Sequence, residues 1–563
     1  MLDKRATETT KAKPAGPPLD FQEHLARLEA AGLLRRIDRA INKETELHPL
    51  VRWQFQGGFA EDERRAFLFT NVVDSEGRRY DVPVAIGALA ASARIYAVGM
   101  GRPVDEIGDA WMHAIANPIA PVEVTSGPCQ EVIIKGDELR RPNGGLKSLP
   151  VPISTPGYDA APYLTATLCI TQDPETGIRN MGTYRAGLKA TDRLGVRMAA
   201  RPGGAGGYLH WQKYRKLKKP MPIAIVIGAA PVVVFTGPQK LPIDCDEMAV
   251  AGAHAGAPIR VIKAATVDLH VPADAEFVIE GLIDPELLEP EGPFGESHGL
   301  VALEGYNMSM QVTAITHKRK PVWVSILSEV TPSESSVMKR VAYEPRYLSY
   351  LHDTLAIKGV RRVAMHEPLS NLRKILFVQF APGVPRTEIW RALHGAASLQ
   401  ADIGKYVIAI SEDIDPENPD AVFWSLAYRA NPIEDVHIAP YRSAGHGAKS
   451  PSLPSPASGG GMGGGREEST MLIDATQKEP DPPVSLPKRE FMEHARTIWE
   501  ELGLPKLKPQ SPWHGYSLGD WDAVWDTYAD RAVHGKWEET GKETFARRRG
   551  GLTPETPVKS VKD

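Results

Sequence analysis

Glu291-Gly292-Pro293-Phe294-Gly295-Glu296 is the stretch from which the fold and the chemistry of this chain can be read. Gly292 and Gly295 allow backbone angles that other residues resist, and Pro293 fixes one more, so two acids are held on a stiff turn. Paired carboxylates in a fixed geometry can hold different protonation states, which proton-transfer chemistry needs. The alternative is a surface turn with two solvated acids, and the other motifs decide between the two interpretations.

Composition narrows the class of protein. The 563 residues are too many for one core, so we expect three or more domains. The net charge of -4 indicates no general attraction to nucleic acid or to an anionic membrane. Cys129, Cys169 and Cys245 form no CxxC, which argues against a disulfide framework or a thiolate zinc site and favours a cytoplasmic location. We see no signal peptide and no apolar run long enough for a membrane span.

The pattern of strand-like and helix-like segments predicts the domain organisation. Alternating strands and helices indicate an α/β domain at each end of the body, and alternating apolar strands between glycine and proline turns indicate a mainly antiparallel β-barrel between them. A glycine-rich linker follows, and then a helical tail whose aromatic stripe at Trp521, Trp525 and Tyr528 is typical of a docking face. The predicted segments are a disordered tail (1–18), an N-terminal α/β domain (19–145), a β domain (146–335), a C-terminal α/β domain (336–442), a linker (443–469) and a helical extension (470–563).

A hairpin signal, Asp173-Pro174-Glu175-Thr176-Gly177, precedes a strand that ends at Arg185. Strand alternation puts Asn180 and Tyr184 on one face and Arg185 on the other. An arginine there can bind a substrate carboxylate with two parallel hydrogen bonds. The alternative is a surface ion pair at a strand edge.

Two further motifs could hold a phosphate or a cation. The run 201–211 is rich in glycine and can wrap a phosphate with backbone N–H groups, although it is neither a Walker loop nor a dinucleotide fingerprint. The run 242–247 contains Asp246 and Glu247, whose oxygens suit Mg, Mn or potassium ions. A mobile glycine loop and an acidic helix start are the alternatives, and His210 alone is more often structural than a ligand.

Taken in order, Asn180-x-Gly182-x-Tyr184-Arg185, the glycine-rich run, Asp246-Glu247 and the EGPFGE motif resemble the UbiD-like family of prenylated-FMN-dependent decarboxylases. The resemblance extends from about Gly127 to about Asp415. It implies an N-terminal α/β domain, a flavin-reductase-like split β-barrel that carries the cofactor, and a C-terminal α/β domain that forms oligomers, here with a helical tail.

The resemblance also implies roles for individual residues. Arg185 would hold the substrate carboxylate and pair with Glu291, and Glu296 would donate the proton that replaces carbon dioxide. A divalent metal, usually manganese, would bridge to the cofactor phosphate, with potassium nearby. The metal ligands fall on Asn180, Glu247 and a histidine, for which His210 is the candidate because Ala200 stands where many relatives have theirs. The cofactor-binding residues fall on Thr183, Tyr184, Arg185, Arg197, Met198, Ala199, Arg201 and Glu247.

The function expected from the resemblance is reversible decarboxylation of an aromatic or α,β-unsaturated acid, such as a phenolic acid or an aryl-CoA thioester like phthaloyl-CoA. Loss of carbon dioxide from an sp² carbon leaves an unstabilised carbanion, so a cofactor must act as electron sink, here through a covalent adduct with prenylated FMN. The implied partners are a flavin prenyltransferase and further copies of the chain, as a dimer or a hexamer. The alternatives are a flavin-binding redox protein that uses the barrel for electron transfer and a non-catalytic assembly subunit.

Overall fold

The computed structural model describes residues 16–198, 205–241, 245–400, 402–442, 468–478, 485–509 and 523–547. Several predictions fall outside these ranges: most of the N-terminal tail, the cofactor contacts Ala199 and Arg201, most of the linker, and Trp521. In the described part of the chain, no helix is both long enough and apolar enough to cross a membrane.

The described residues form thirteen helices, of which α8 is the longest. They are α1 (Phe21–Ala30), α2 (Leu47–Gln56), α3 (Ala93–Met100), α4 (Ile107–Ala116), α5 (Gly206–Leu217), α6 (Pro231–Thr236), α7 (Glu247–Ala255), α8 (Glu334–Ser349), α9 (Arg386–Leu399), α10 (Pro419–Arg429), α11 (Arg489–Glu501), α12 (Ala523–Val533) and α13 (Trp537–Ala546).

The described strands are concentrated in the region where the sequence predicts β structure. They are β1 (Leu34–Ile37), β2 (Ile41–Asn42), β3 (Ala66–Phe69), β4 (Val72–Val73), β5 (Arg79–Tyr80), β6 (Val84–Ile86), β7 (Val122–Glu123), β8 (Val132–Lys135), β9 (Tyr163–Leu164), β10 (Leu168–Gln172), β11 (Arg179–Gly182), β12 (Ala186–Ala190), β13 (Arg193–Val196), β14 (Met221–Ile227), β15 (Arg260–Lys263), β16 (His270–Pro272), β17 (Phe277–Glu291), β18 (Phe294–Gly295), β19 (Val301–Ala302), β20 (Gly305–His317), β21 (Trp323–Ser325), β22 (Val360–Met365), β23 (Ile375–Phe380), β24 (Tyr406–Ser411), β25 (Val436–Arg442) and β26 (Glu468–Ala475).

Local sequence explains the first helix. Asp20 accepts a hydrogen bond from the backbone N–H of Glu23 at 2.8 Å, as the capping-box spacing predicts. Phe21, Leu25 and Leu28 are buried, because their spacing puts them on one face of the helix. Gly32 follows the helix with a φ of 68°, a conformation that glycine adopts without strain.

The chain forms two compact units. The first comprises the described residues of Met1–Val378, Pro385–Ile408 and Val436–Ile473, and it contains the candidate site. The second comprises those of Gln379–Val384, Ala409–Asp435 and Asp474–Asp563. Within the second unit, Arg429 binds both carboxylate oxygens of Asp413, at 2.8 and 2.7 Å.

A nine-stranded sheet dominates the first unit. Among the described strands its order is β11-β10-β14-β17-β20-β13-β12-β9, with β8 paired to β20, and all of these pairings are antiparallel. The long strands β17 and β20 pair from Phe277 opposite His317 to Glu291 opposite Gly305. The first acid of the EGPFGE motif therefore lies at the far end of a long paired ribbon, which fixes its backbone.

Strands cross the predicted domain boundaries. β21 pairs in parallel with β6, so the predicted β domain contributes a strand to the N-terminal sheet β1-β3-β6-β21. In return β8, from the predicted N-terminal domain, pairs with β20. Pairing between strands so distant in sequence leaves no local pattern, so the sequence analysis does not predict this exchange.

Residues 468–475 form a strand that the sequence analysis does not predict. β26 takes part in a sheet of order β22-β23-β24-β26-β25, where Ile473 lies opposite Val436. Glu468, Thr470, Leu472 and Asp474 are buried, and Ser469 is exposed. Because the buried face of this strand carries polar residues, the strand does not show the alternation of apolar and polar residues by which strands are predicted.

Candidate active site

The turn between the two acids is fixed by a close approach of backbone to side chain. Phe294 and Gly295 form the short strand β18, which pairs with β19. A Cβ on Gly295 would lie 2.1 Å from Thr155 Oγ1, so only glycine fits there. Gly292 has a φ of 103°, the left-handed region that the sequence analysis expects glycine to supply.

Asp159 holds this turn from outside the motif. One carboxylate oxygen accepts from Gly295 N at 2.8 Å, and the other accepts from Ser154 N at 3.1 Å and Thr155 N at 2.8 Å. Burial raises the pKa of Asp159 although these N–H groups oppose the shift. Sequence reasoning missed Asp159, because the partner that connects it to the motif, Gly295, is 136 residues away.

The structure brings Arg185, Glu291 and Glu296 together, as the resemblance implies. Arg185 Nε lies 2.8 Å from Glu291 Oε1 and Nη2 lies 2.9 Å from Oε2, a two-bond contact, while Nη1 binds Glu296 Oε1. The side chain of Glu291 is fully buried, and that of Arg185 is 8% exposed. Burial alone would lower the pKa of Arg185, but the hydrogen bonds of Glu291 and the charges of both glutamates raise it, so the guanidinium stays charged.

Two aromatic rings pack against this ion network. The Phe294 ring lies 4.5 Å and the Tyr163 ring 5.9 Å from Arg185 Cζ. The two ring centroids are 4.4 Å apart. Burial, then the charge of Glu291, raises the pKa of Tyr163. The rings exclude water from one side of the guanidinium and strengthen its electrostatic interactions.

Asn307 is a further residue that sequence reasoning missed. Its Nδ2 donates to Glu291 Oε2 at 3.0 Å, and its Oδ1 accepts from Arg197 Nη1 at 3.2 Å. It is 3% exposed, and a buried amide in a strand is the signal that could have found it. Arg197, a predicted cofactor contact, is thereby connected to Glu291.

Asn180 and Glu247, two of the predicted metal ligands, lie close to each other. Glu247 Oε2 accepts from the backbone N–H of Met181, the residue after Asn180, at 3.0 Å. Burial, and the charge of Asp246, raise the pKa of Glu247 to about 7. A Cβ on Gly206 would lie 2.0 Å from Asn180 Oδ1, so this oxygen is directed at the start of α5.

His210, the third predicted ligand, lies one strand further on. Its Nδ1 is 2.9 Å from Thr171 Oγ1, and Thr171 is the cross-strand partner of Asn180. Burial lowers the pKa of His210, which favours the neutral ring. Within the described ranges, no group of three or more His, Cys, Asp or Glu side chains is arranged to hold a metal ion.

Two of the predicted flavin contacts, Tyr184 and Met198, lie beside the start of α5. Tyr184 Oη accepts from Asn180 Nδ2 at 3.1 Å and from Gly207 N at 3.3 Å, so the two side chains meet. The strand itself ends at Gly182 and not at Arg185 as predicted, so Tyr184 and Arg185 lie in the connection to β12. A Cβ on Gly207 would lie 3.2 Å from the sulfur of Met198, and one on Gly237 would lie 3.1 Å from Thr183 Oγ1. The N-cap residue of α5, Ala205, has no side chain that can cap the helix, and Tyr184 Oη accepts from only one N–H of the first turn, so the other N–H groups suit an anion.

Comparison with known proteins gives the class of this chain. The family model described as 3-octaprenyl-4-hydroxybenzoate carboxy-lyase Rift-related domain matches residues 121–330, and the model of the corresponding C-terminal domain matches residues 337–475. Together they cover more than half of the chain. The chain belongs to the UbiD family of carboxy-lyases, and the resemblance found in the sequence is confirmed.

Individual relatives agree with this assignment. The chain is similar to the UbiD-class enzyme HmfF from Pelotomaculum thermopropionicum in complex with FMN, with 28% identity and a TM-score of 0.71 over 85% of this chain and 99% of that one. An evolved dimeric form of HmfF, in complex with prFMN, gives 28% identity and a TM-score of 0.69 over 83% and 97%. An uncharacterized protein of Synechocystis sp. is 28% identical over 529 residues, which are 89% of this chain and 96% of that protein.

Proposed function

We propose that this protein is a prenylated-FMN-dependent decarboxylase, reversible in principle, of an aromatic or α,β-unsaturated carboxylic acid. The observation that carries the proposal is the buried contact of one arginine with two glutamates, Arg185 with Glu291 and Glu296. One guanidinium neutralises one carboxylate, so the pair of acids has room for one proton. A cation that binds carboxylates and an acid that holds a proton are the two parts that replacement of carbon dioxide by hydrogen requires.

The described residues fit the flavin and its metal. Tyr184, Met198 and the uncapped start of α5 would hold the flavin and its phosphate, while Asn180 and Glu247 would hold a divalent cation such as Mn²⁺. Glu247 and the Asn180 Oδ1 atom are oxygen donors of the kind that such a cation prefers. When bound, the prenylated flavin supplies the electron sink for the carbanion. We further propose His210 as third ligand and K⁺ as a nearby ion.

The protein's own residues then have separate tasks. Arg185 binds the substrate carboxylate and orients it for departure. Glu296 donates its proton to the carbon that has lost carbon dioxide, so a neutral acid becomes a carboxylate and the product carries hydrogen. Glu291 and Asn307 keep the guanidinium in place. Phe294 and Tyr163 exclude water, which would compete for the developing charge.

The remaining structural expectations belong to the same proposal. We propose that the nine-stranded sheet forms a split β-barrel and that the predicted domains are the functional parts of the chain, with the C-terminal α/β domain extended to Ala475 by β26. We also propose a cytoplasmic homo-oligomer, as dimer or hexamer, that receives its cofactor from a flavin prenyltransferase. An evolved HmfF is described as dimeric, and two forms of HmfF are described with prFMN or FMN.

The flavin-binding redox protein is not favoured. Electron transfer does not require two glutamates bound to one buried arginine. In addition, the matching family consists of carboxy-lyases. Membership of the carboxy-lyase family argues against a non-catalytic assembly subunit.

The test uses protein produced together with a flavin prenyltransferase. We expect a coloured protein whose released cofactor has the mass of prenylated FMN, and hydrogen–deuterium exchange at the decarboxylated carbon for at least one aryl or unsaturated acid. Glu296→Gln should lower turnover by about 10²- to 10⁴-fold, the range for loss of a general acid, while the flavin spectrum is unchanged. Near-normal turnover in this variant would remove Glu296 from its role. Colourless protein without exchange on any acid would end the proposal.

A further inference from the structure

Two histidine rings, one from α9 and one from β25, meet on the surface of the first compact unit. The ring centroids of His394 and His437 are 5.2 Å apart, and the ring planes are inclined to each other by 64°. Both residues are exposed, so solvent and dissolved ions reach the pair. The two histidines are far apart in sequence, and only the fold brings their rings together.

Regular secondary structure fixes the backbone of both histidines. His394 lies in the interior of α9, one turn after Trp390, and these two ring centroids are 6.3 Å apart. His437 lies on β25 opposite Leu472 of β26, and its ring is also 6.3 Å from that of Trp390. The indole therefore forms an apolar wall beside both imidazoles. Side chains on helices and strands are held more precisely than side chains on loops, which favours a preformed binding site.

The spacing of the two rings fits one metal ion between them. Zinc lies about 2.0–2.1 Å from a ligating imidazole nitrogen, so two imidazoles on one tetrahedral ion have ring centres roughly 5 Å apart. The separation of 5.2 Å between His394 and His437 agrees with this geometry. Burial, then the charge of His437, lowers the pKa of His394, which favours the neutral ring that a metal ion requires.

Two imidazoles do not complete the coordination of an ion, and the structure leaves room for the remaining ligands. His394 lines a groove of about 880 Å³ together with Tyr350, Arg386, Trp390 and Arg391. Within the described ranges, no third His, Cys, Asp or Glu side chain joins the pair to form a larger cluster. Water or a small anion from this groove would therefore fill the open positions, as at metal sites with few protein ligands.

We propose that His394 and His437 form a second metal site, which takes a divalent cation such as Zn²⁺ or Cu²⁺ and completes its coordination with water or a small anion. Imidazole nitrogens suit these metals, whereas the oxygen atoms of Asn180 and Glu247 suit Mg²⁺ or Mn²⁺, so the two sites select different ions. The inference does not depend on the proposed function. A bound ion would connect α9 to β25 and stabilise the folded protein, because the unfolded chain does not hold the two rings together.

The test measures binding of Cu²⁺ and Zn²⁺ to the full chain by calorimetry, with pulsed EPR of the Cu²⁺ complex. We expect an EPR signal from two imidazole nitrogens and a higher Tm with Zn²⁺. His394→Phe and His437→Phe each keep an aromatic ring in the contact and remove the nitrogen ligands. Each should lower the Cu²⁺ affinity at least ~10-fold and abolish the rise in Tm, and the double variant should lose little more, because one site needs both rings.

Two control variants complete the experiment. His494→Phe, at an exposed histidine of α11, should leave both the affinity and the EPR signal unchanged. Glu247→Gln should leave the two-nitrogen signal unchanged, and loss of the signal in this variant would place the ion at the other site. A signal from a single imidazole, or wild-type affinity in either His394→Phe or His437→Phe, would show that the two rings only pack against each other. An equal loss of affinity in His494→Phe would reduce the site to general binding by surface histidines. Each of these results overturns the inference.

Discussion

Two buried clusters of this protein each contain an arginine bound to a glutamate, yet they have different charge balances. In the cluster around Arg52, the guanidinium binds Glu329 and donates to the carbonyl oxygen of Val330 at 2.8 Å. His48 lies beside it, with Nε2 2.9 Å from Ser325 Oγ and Nδ1 3.8 Å from Glu329. One arginine meets one acid there, and burial lowers the pKa of His48 to about 3, so the ring stays neutral.

In the cluster around Arg185, one arginine meets two acids. The extra carboxyl group creates a place for a proton, whereas the Arg52 cluster is balanced without one. The serine, histidine and glutamate of the Arg52 cluster imitate a hydrolase triad in composition, but Ser325 is 1% exposed and also contacts Thr165 Oγ1 at 2.9 Å. Burial and residue type alone therefore do not identify an active site. A carboxyl group in excess of the cations that neutralise it is more informative.

The largest expected effect is on the unbalanced cluster. Arg185→Met removes the cation that binds the substrate carboxylate, and we expect kcat/KM to fall by at least ~100-fold, as for other groups that stabilise charge in a water-excluded site. Steady-state kinetics on the cofactor-loaded variant measure this. Bound flavin, followed by its absorbance, should persist. Activity within a few-fold of the wild-type enzyme would show that Arg185 does not bind substrate.

A substitution in the cluster around Arg52 should lower the stability of the protein and leave its catalytic activity unchanged. Glu329→Gln leaves Arg52 without its anion, and we expect a loss of roughly 3 kcal/mol in the free energy of unfolding, the low end for a broken buried ion pair because Arg52 is partly exposed. Denaturant unfolding measures this loss. The turnover of the folded fraction should stay near the wild-type value. A specific loss of turnover with unchanged stability would make the Arg52 cluster part of the active site.

The sequence predicts much of one cluster and none of the other. Arg185, Glu291 and Glu296 stand in motifs with glycine, proline and alternating strand positions, so their type and spacing carry information. Asn307 and Asp159 reach the same site through pairing across β17 and β20 or across 136 residues, and such contacts leave no local pattern. His48 and Glu329 are likewise brought together by chain segments far apart in sequence.

The secondary structure likewise divides into elements that local sequence reveals and elements that depend on contacts between distant parts of the chain. α1, β14 and α9 have strong local periodicity, which a short stretch of sequence is enough to show. β26 was missed because its buried face carries polar residues, and the exchange of β8 and β21 was missed because only long-range pairing places them. Local chemistry thus predicts elements, whereas the partners of an element depend on the whole chain.

The fit of Gly295 against Thr155 gives a smaller test of the unbalanced cluster. Gly295→Ala should cost about 1–3 kcal/mol in stability, because the new methyl group overlaps the threonine hydroxyl, and should lower turnover by displacing Glu296. Adding Thr155→Ser keeps the clashing hydroxyl, whereas adding Thr155→Gly removes it. We therefore expect rescue of both stability and turnover only with Thr155→Gly. Equal behaviour of the two double variants would show that the turn tolerates the methyl group without help.

The smallest expected effect concerns Asn307, a positioning residue that acts through Glu291. Asn307→Ala removes one of the hydrogen bonds that Glu291 accepts, which for a charged acceptor is worth about 1.5–3 kcal/mol. Arg185 still binds both oxygens of Glu291, so we expect the lower end and a fall in kcat of about tenfold, with little change in KM because the guanidinium remains. Asn307→Asp separates geometry from charge, since it keeps the shape of the side chain and adds a carboxylate between Glu291 and Arg197, the two groups that the amide contacts. If Asn307 serves only to position Glu291, the aspartate variant should lose more activity than the alanine variant, and the reverse order would mean that the amide acts through Arg197 instead.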